Sequence, residues 1–108
     1  MNVINKLNQD AVDAIRATGG NNAKRFITVP SIAASPWAAM AGKFKIPVDA
    51  ENRIGVSTHA YAPYAFAMQK NKDGGTSKFT KGHRSELDNM FNELNKKFVS
   101  KGIPVIMG

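Results

Sequence analysis

Cysteine is absent from this chain, which excludes disulfides, thiolate zinc sites and thiol catalysis. Long apolar runs are absent as well: none approaches the roughly 18 residues that a membrane-spanning helix needs, so no membrane partner is expected. There is no P-loop, no GxGxxG, no HExxH and no Ser/His/Asp order, and neither a cofactor nor a metal is expected. Internal repeats and low-complexity segments are also missing. Acidic side chains are scarce, 8 against 15 Lys and Arg, for a net charge of +7. The basic surplus is scattered, at Lys6, Arg16, Lys24, Arg25, Lys43, Lys45, Arg53 and onward. Its densest group, Lys70, Lys72, Lys78 and Lys81, falls in a Gly-rich loop. A nucleic-acid footprint needs its cations on one face, so this charge is read as a solvated surface and no nucleic acid is expected.

What remains is 108 residues, 43% apolar and 21% charged. That is the size and composition of one small domain, 1–108, with no separate second domain. The opening MNVINKLNQDAVDAI reads as an amphipathic helix and not as a signal peptide. Its apolar stripe is Val3, Ile4, Leu7, Ala11, Ala14 and Ile15, closed by Gly19 and Gly20. A strand is expected over about 25–29, stopped by Pro30. A loop then passes into a short Ala-rich helix with Ser35 as N-cap and Pro36 at the first helical position. The stretch NRIGVSTHAY gives a second strand, and APYAFAMQKNKDGGTSKFTKGH a long loop broken at Asp73–Gly75. The last helix carries Leu87, Met90, Phe91, Leu94 and Phe98 at helical spacing. Ser85 and Asp88 look like its capping pair, and Lys96, Lys97 and Lys101 suit its C-terminal dipole. Gly102 ends it, and Ile103–Met107 reads as a third strand.

The order α-β-α-β-α-β implies a three-stranded parallel sheet with right-handed crossovers. All helices then fall on one side, leaving the other face bare, as in an arc cut from a closed barrel. The runs ITV and IPVIM suit strands buried on both faces.

Chemistry-bearing residues gather on the second strand. His59 and Tyr61 share a face at its C-terminal end, with Tyr64 shortly after. In α/β barrels that end is where catalytic residues collect; the alternative is a His and a Tyr packed in a core. Trp37, after the first strand, is either a stacking platform for a sugar or base or an aromatic anchoring its helix. His83 is read as a surface or capping residue. No carboxylate sits at a strand's C-terminal end.

RFITVPSIAASP, VSTHAYAPYAFA and NELNKKFVSKGIPVIMG resemble glycoside hydrolase family 5 endoglucanases, closest to subfamily 4, and the resemblance covers essentially the whole chain. It implies a TIM (β/α)8 barrel that hydrolyses internal β-1,4-glucosidic bonds with retention, of which this chain is a part running from helix 4 to strand 7. His59 and Tyr61 match the family's His-x-Tyr pair: the His lines the subsite of the sugar being cleaved, and the Tyr hydroxyl orients the nucleophile. Trp37 and Tyr64 are the candidate substrate-binding aromatics. In the family, strand 7 continues into the nucleophilic Glu, and the acid/base Glu belongs to an Asn-Glu-Pro motif on strand 4. Neither is among these residues, whereas retaining hydrolysis needs two carboxyl groups about 5 Å apart. The chain is therefore expected to be an internal piece of a cellulase, inactive alone. The resemblance implies a secreted parent enzyme and a β-glucan or cellulose-type partner. The bare sheet face and two open edges predict self-association, or an assembly with exchanged strands or helices. Tyr61 should lie on the same side of the sheet as His59 and near Gly108. The alternative function is a non-enzymatic basic α/β binding or scaffold domain contacting a polyanion.

Overall fold

A computed structural model describes all 108 residues, Met1–Gly108. Three strands form one parallel sheet in the order β1-β2-β3: β1 (Ile27–Pro30), β2 (Ile54–Thr58) and β3 (Val105–Met107). The helices are α1 (Asn2–Ala17), α2 (Pro36–Met40), α3 (Tyr64–Ala67) and α4 (Lys81–Lys97), joined by short 3-10 turns. The fold is α/β, a three-stranded arc of a TIM barrel.

Register decides which side chains become core. Val29 pairs with Val56, and Val56 with Val105. This row faces the helices, with Val29 and Val56 fully buried and Val105 packed beside them. The next row, Pro30–Ser57–Ile106, faces the other way. There Ser57 is half-buried, and Pro30 and Ile106 are exposed. The apolar runs of β1 and β3 are thus buried on one face only, which corrects the expectation of two. Against the covered face pack Val12 of α1, Ala39 of α2, and Met90 and Leu94 of α4, with Phe44 and Phe98 meeting edge to face at 6.2 Å. Pro30 ends β1 at the sheet's edge, where its missing N–H costs no ladder bond.

Three helix details differ from the sequence-based expectation. The buried line of α1 is Asn8 and Val12, flanked by Ile4 and Ile15, while Val3 is 71% and Leu7 56% exposed. Four of the six stripe residues, Val3, Leu7, Ala11 and Ala14, are exposed. Asn8 takes an inward place because its side-chain amide donates to the Pro30 carbonyl at 2.9 Å. At the other end of the chain, α4 begins a turn earlier than Ser85. Thr80 is its N-cap: its Oγ1 accepts from the His83 N–H at 3.3 Å, and the Thr80 N–H donates to His83 Nδ1 at 3.1 Å. This is a capping box with histidine in the place usually held by Glu or Gln. Ser85 instead donates to the Lys81 carbonyl inside the helix. Of the α4 stripe, Phe91 remains outside, 51% exposed.

Two charged groups tie the loops to the helices. Lys97 Nζ donates to the Met40 and Ala41 carbonyls at 2.7 and 3.0 Å, satisfying the C-terminal end of α2. Burial, with repulsion from Lys101, pushes the Lys97 ammonium down from its usual range. Arg16, at the end of α1, grips Asp49 with two parallel bonds of 2.9 and 3.0 Å. It also holds the Asn22 and Arg25 carbonyls.

The long loop is more structured than its composition suggests. It contains the one-turn α3 and a 3-10 turn at Asn71–Asp73. Gly75 is needed there: a Cβ would stand 2.0 Å from the Gln69 carbonyl oxygen. Phe66, Phe79 and His83 pack against one another, with the two phenyl rings edge to face at 5.3 Å.

Candidate active-site cleft

A parallel sheet brings the C-terminal ends of its strands to one edge, and two backbone bonds keep those ends level beyond the strands themselves. The His59 N–H donates to the Ala34 carbonyl at 2.8 Å, and the Gly108 N–H to the Thr58 carbonyl at 2.9 Å. The turn after β1 is tightly held. Ser31 Oγ donates to the Ser35 carbonyl at 2.6 Å, and Ala33 and Ala34 both adopt left-handed backbone, with φ of 52° and 51°. Such conformations cost a non-glycine residue about 1–2 kcal/mol each. Strain of this kind tends to collect beside functional sites. Ser35 then caps α2, its Oγ accepting from the Ala38 N–H, and Pro36 fixes the first helical φ. This presents Trp37 at the mouth.

The result is a cleft of about 560 Å³ lined by Ala33, Ser35, Trp37, His59, Tyr61, Tyr64, Met68 and Glu86. Its size is that of a small-ligand site. All four residues singled out from the sequence meet there. Trp37 is 50%, Tyr61 63% and Tyr64 62% exposed, so none is a core aromatic, and His59 too is open to solvent. Pattern reading missed Met68, Ala33 and Glu86. Glu86 lies on the polar flank of α4, where nothing in the pattern distinguishes it from the helix's other acids.

His59 follows β2 on the face away from the helices. A Cβ at Gly108 would meet the His59 ring at 2.9–3.6 Å. The side chain that a residue at 108 would meet first is therefore His59; Tyr61 lies two residues further along, beyond the end of β2. Glu86 is the cleft's single carboxylate. Asp10, Asp13, Asp49, Glu51, Asp73, Asp88 and Glu93 do not line it, and no three His, Asp or Glu side chains gather as a metal site would require. A smaller cavity of about 280 Å³, lined by Pro47, Asp49, Asn52 and Lys101 among others, sits at the opposite edge. That is the end of a barrel associated with stability and not with chemistry.

A family model for cellulase, glycosyl hydrolase family 5, matches residues 1–108. The chain belongs to glycosyl hydrolase family 5. Among curated relatives, endoglucanase B of Neocallimastix patriciarum is 44% identical over 107 residues, covering 99% of this chain and 22% of that protein. Among solved structures, a family 5 lichenase from Caldicellulosiruptor sp. F32 matches with a TM-score of 0.92 and 47% identity, over 97% of this chain and 30% of that one. A variant of that lichenase was solved in complex with cellotetraose. A subfamily 4 broad-specificity endoglucanase from Ruminococcus champanellensis, with bound cellotriose, matches with a TM-score of 0.83 and 44% identity. This family 5 chain thus spans less than a third of the proteins it matches.

Proposed function

We propose that these residues form the strand 5 to strand 7 portion of a retaining endo-β-1,4-glucanase, contributing one wall of its active site. The observation that carries the reading is the convergence of Trp37, His59, Tyr61 and Tyr64, from three separate segments, on one cleft at the C-terminal edge of the sheet. In this reading Trp37 and Tyr64 offer flat apolar faces to the C–H faces of glucose units. His59 lines the subsite of the bond being cleaved. Tyr61 is a positioning residue whose hydroxyl donates to the nucleophilic carboxylate, favouring its charged form. The parent enzyme works outside the cell, because a polymeric glucan does not enter one.

Retaining hydrolysis needs a carboxylate to attack and a second carboxyl group to protonate the leaving oxygen. With one carboxylate in the cleft, the 108 residues alone turn over no glucan. The pure chain should release no reducing ends from barley β-glucan, and sustained turnover by homogeneous protein would refute this. Within an intact barrel, Tyr61→Phe should lower kcat about 10- to 100-fold, the worth of a hydrogen bond to a charged group; an unchanged kcat removes the positioning role. The polyanion-binding alternative predicts affinity for heparin or nucleic acid that collapses with salt, whereas glucan stacking is nearly salt-independent.

The uncovered sheet face and the free edges of β1 and β3 support association of this chain, with itself or by strand or helix exchange. Each Å² of apolar surface removed from water contributes about 25 cal/mol. Sedimentation should show species larger than a monomer, and a compact monomer that binds no hydrophobic dye would count against it.

A further inference from the structure

We propose that Glu86 is a specificity residue of this cleft: its carboxylate accepts hydrogen bonds from hydroxyl groups of a neutral glucan and rejects glucans carrying negative charge. The inference rests on the glucanase reading above and goes beyond it by assigning a role and a charge preference to a residue on α4.

Helix arithmetic places Glu86. Glu86 and Lys97 are eleven residues apart, about three helical turns, and so lie on the same flank of α4. Lys97 reaches the Met40 and Ala41 carbonyls at the end of α2. The shared flank therefore runs along α2, with Glu86 at its mouth end, where Trp37 stands in the first turn of α2. The two side chains line the same cleft.

Chemistry then limits what Glu86 is free to do. Asp10, Asp49 and Asp88 are committed to Lys6, Arg16 and Arg84, and Asp13 accepts from Gln9. Glu86 makes no such pairing, and no Lys or Arg lines the cleft. An open carboxylate is an acceptor only, with room for two or more donors. Beside an exposed indole face and two phenols, it suits a ligand with an apolar C–H face and several O–H donors, which is a neutral sugar ring. A carboxymethyl or uronate group in the same place would meet a like charge, a repulsion that water and salt in the open cleft weaken without abolishing at contact distance. The basic surface of the chain attracts such anions from a distance; Glu86 opposes them at the cleft.

The test is binding of cellotetraose and of carboxymethylated cellotetraose to the protein, followed by NMR at the Trp37 indole N–H and by calorimetry. Wild type should prefer the neutral tetramer. Glu86→Gln, which keeps the shape and removes the charge, should weaken cellotetraose about tenfold. It should also cut the neutral-over-anionic preference by about the same factor. Glu51→Gln, the same charge change at the opposite edge of the sheet, should alter neither. If wild type binds cellotetraose through Trp37 but Glu86→Gln leaves affinity and preference unchanged, this inference fails and the glucanase reading survives. If wild type binds neither tetramer at millimolar concentration, both fail.

Discussion

Replacing Asp49 with Asn should destabilise the protein at neutral pH and do almost nothing at pH 2. The Asp49 side chain is only 3% exposed, and its partner Arg16 15%. The hydrogen bonds from Arg16 are the main cause holding the carboxyl down from 3.8 to about 2; burial opposes the shift, and the Arg53 backbone N–H, donating at 3.0 Å, assists it. A shift of that size corresponds to at most about 2.5 kcal/mol. Solvent screening at a partly open pair trims this to roughly 1–2 kcal/mol. The direction follows from linkage. A depressed folded-state pKa stabilises the fold above the unfolded-state value, and that contribution is lost as pH falls from about 4 through about 2. Asparagine keeps one acceptor but loses the charge and the second parallel bond. Urea denaturation of wild type and Asp49→Asn at pH 7, 4, 3 and 2 should show a gap of about 1–2 kcal/mol that closes toward pH 2. A gap equally wide at pH 2, or none at pH 7, would falsify the claim that this ion pair clamps α1 to the loop before β2.

Thr80→Ala should cost about 1 kcal/mol through loss of the α4 cap, while His83→Gln, which can still accept from the Thr80 N–H, should cost less; equal losses would mean that Gln does not replace the His83 acceptor. Ala34→Gly should stabilise by a few tenths of a kcal/mol, reversing the usual sign of that substitution, because relief of a left-handed backbone outweighs the added chain entropy; thermal melts decide it. Leu94→Ala should cost about 2–5 kcal/mol, and Leu7→Ala less than about 0.5, since both belong to apolar stripes but only Leu94 is buried; similar losses would put the core in the wrong place.

Strand periodicity and helix stops gave the element order because they are local signals: Val29, Val56 and Leu94 bury where the pattern puts them, and Ser35-Pro36 starts α2 as its chemistry requires. The places where pattern reading failed share a cause, which is that the deciding partner is distant in sequence. Asn8 is inside because of the Pro30 carbonyl 22 residues away. Val3 and Leu7 are outside because no element of this chain packs on their side of α1. The start of α4 shifted for a local reason, but one that a motif written for Glu or Gln does not register, since His83 supplies the acceptor. In the cleft, Trp37, His59, Tyr61 and Tyr64 were legible from their position after strands. Glu86 was not, because its place depends on how α4 lies along α2, and five residues of helix precede it.

The same two-residue period explains why the core and the site do not compete for the same side chains. Along β2, Ile54, Val56 and Thr58 turn toward the helices and are buried. Gly55, Ser57 and His59 turn away from them. A one-residue slip in register would exchange the two sets, sending His59 into the helix layer and Val56 into the open. The apolar row Val29–Val56–Val105 resists that slip, so burial on one face fixes where the chemistry sits on the other. Gly55 and Gly108 show the same logic at opposite ends of this face. A Cβ at Gly55 would lie 3.0 Å from the Phe26 ring and from the Pro104 carbonyl, and one at Gly108 would lie 2.9 Å from the His59 ring. Each glycine leaves room for an aromatic ring on the side away from the helices: Phe26 at the N-terminal end, and His59 at the C-terminal end, where it borders the cleft. Substitutions on the helix side should therefore register first as lost stability. Those on the His59 side, beyond the end of the strand, should register first in what the cleft can bind.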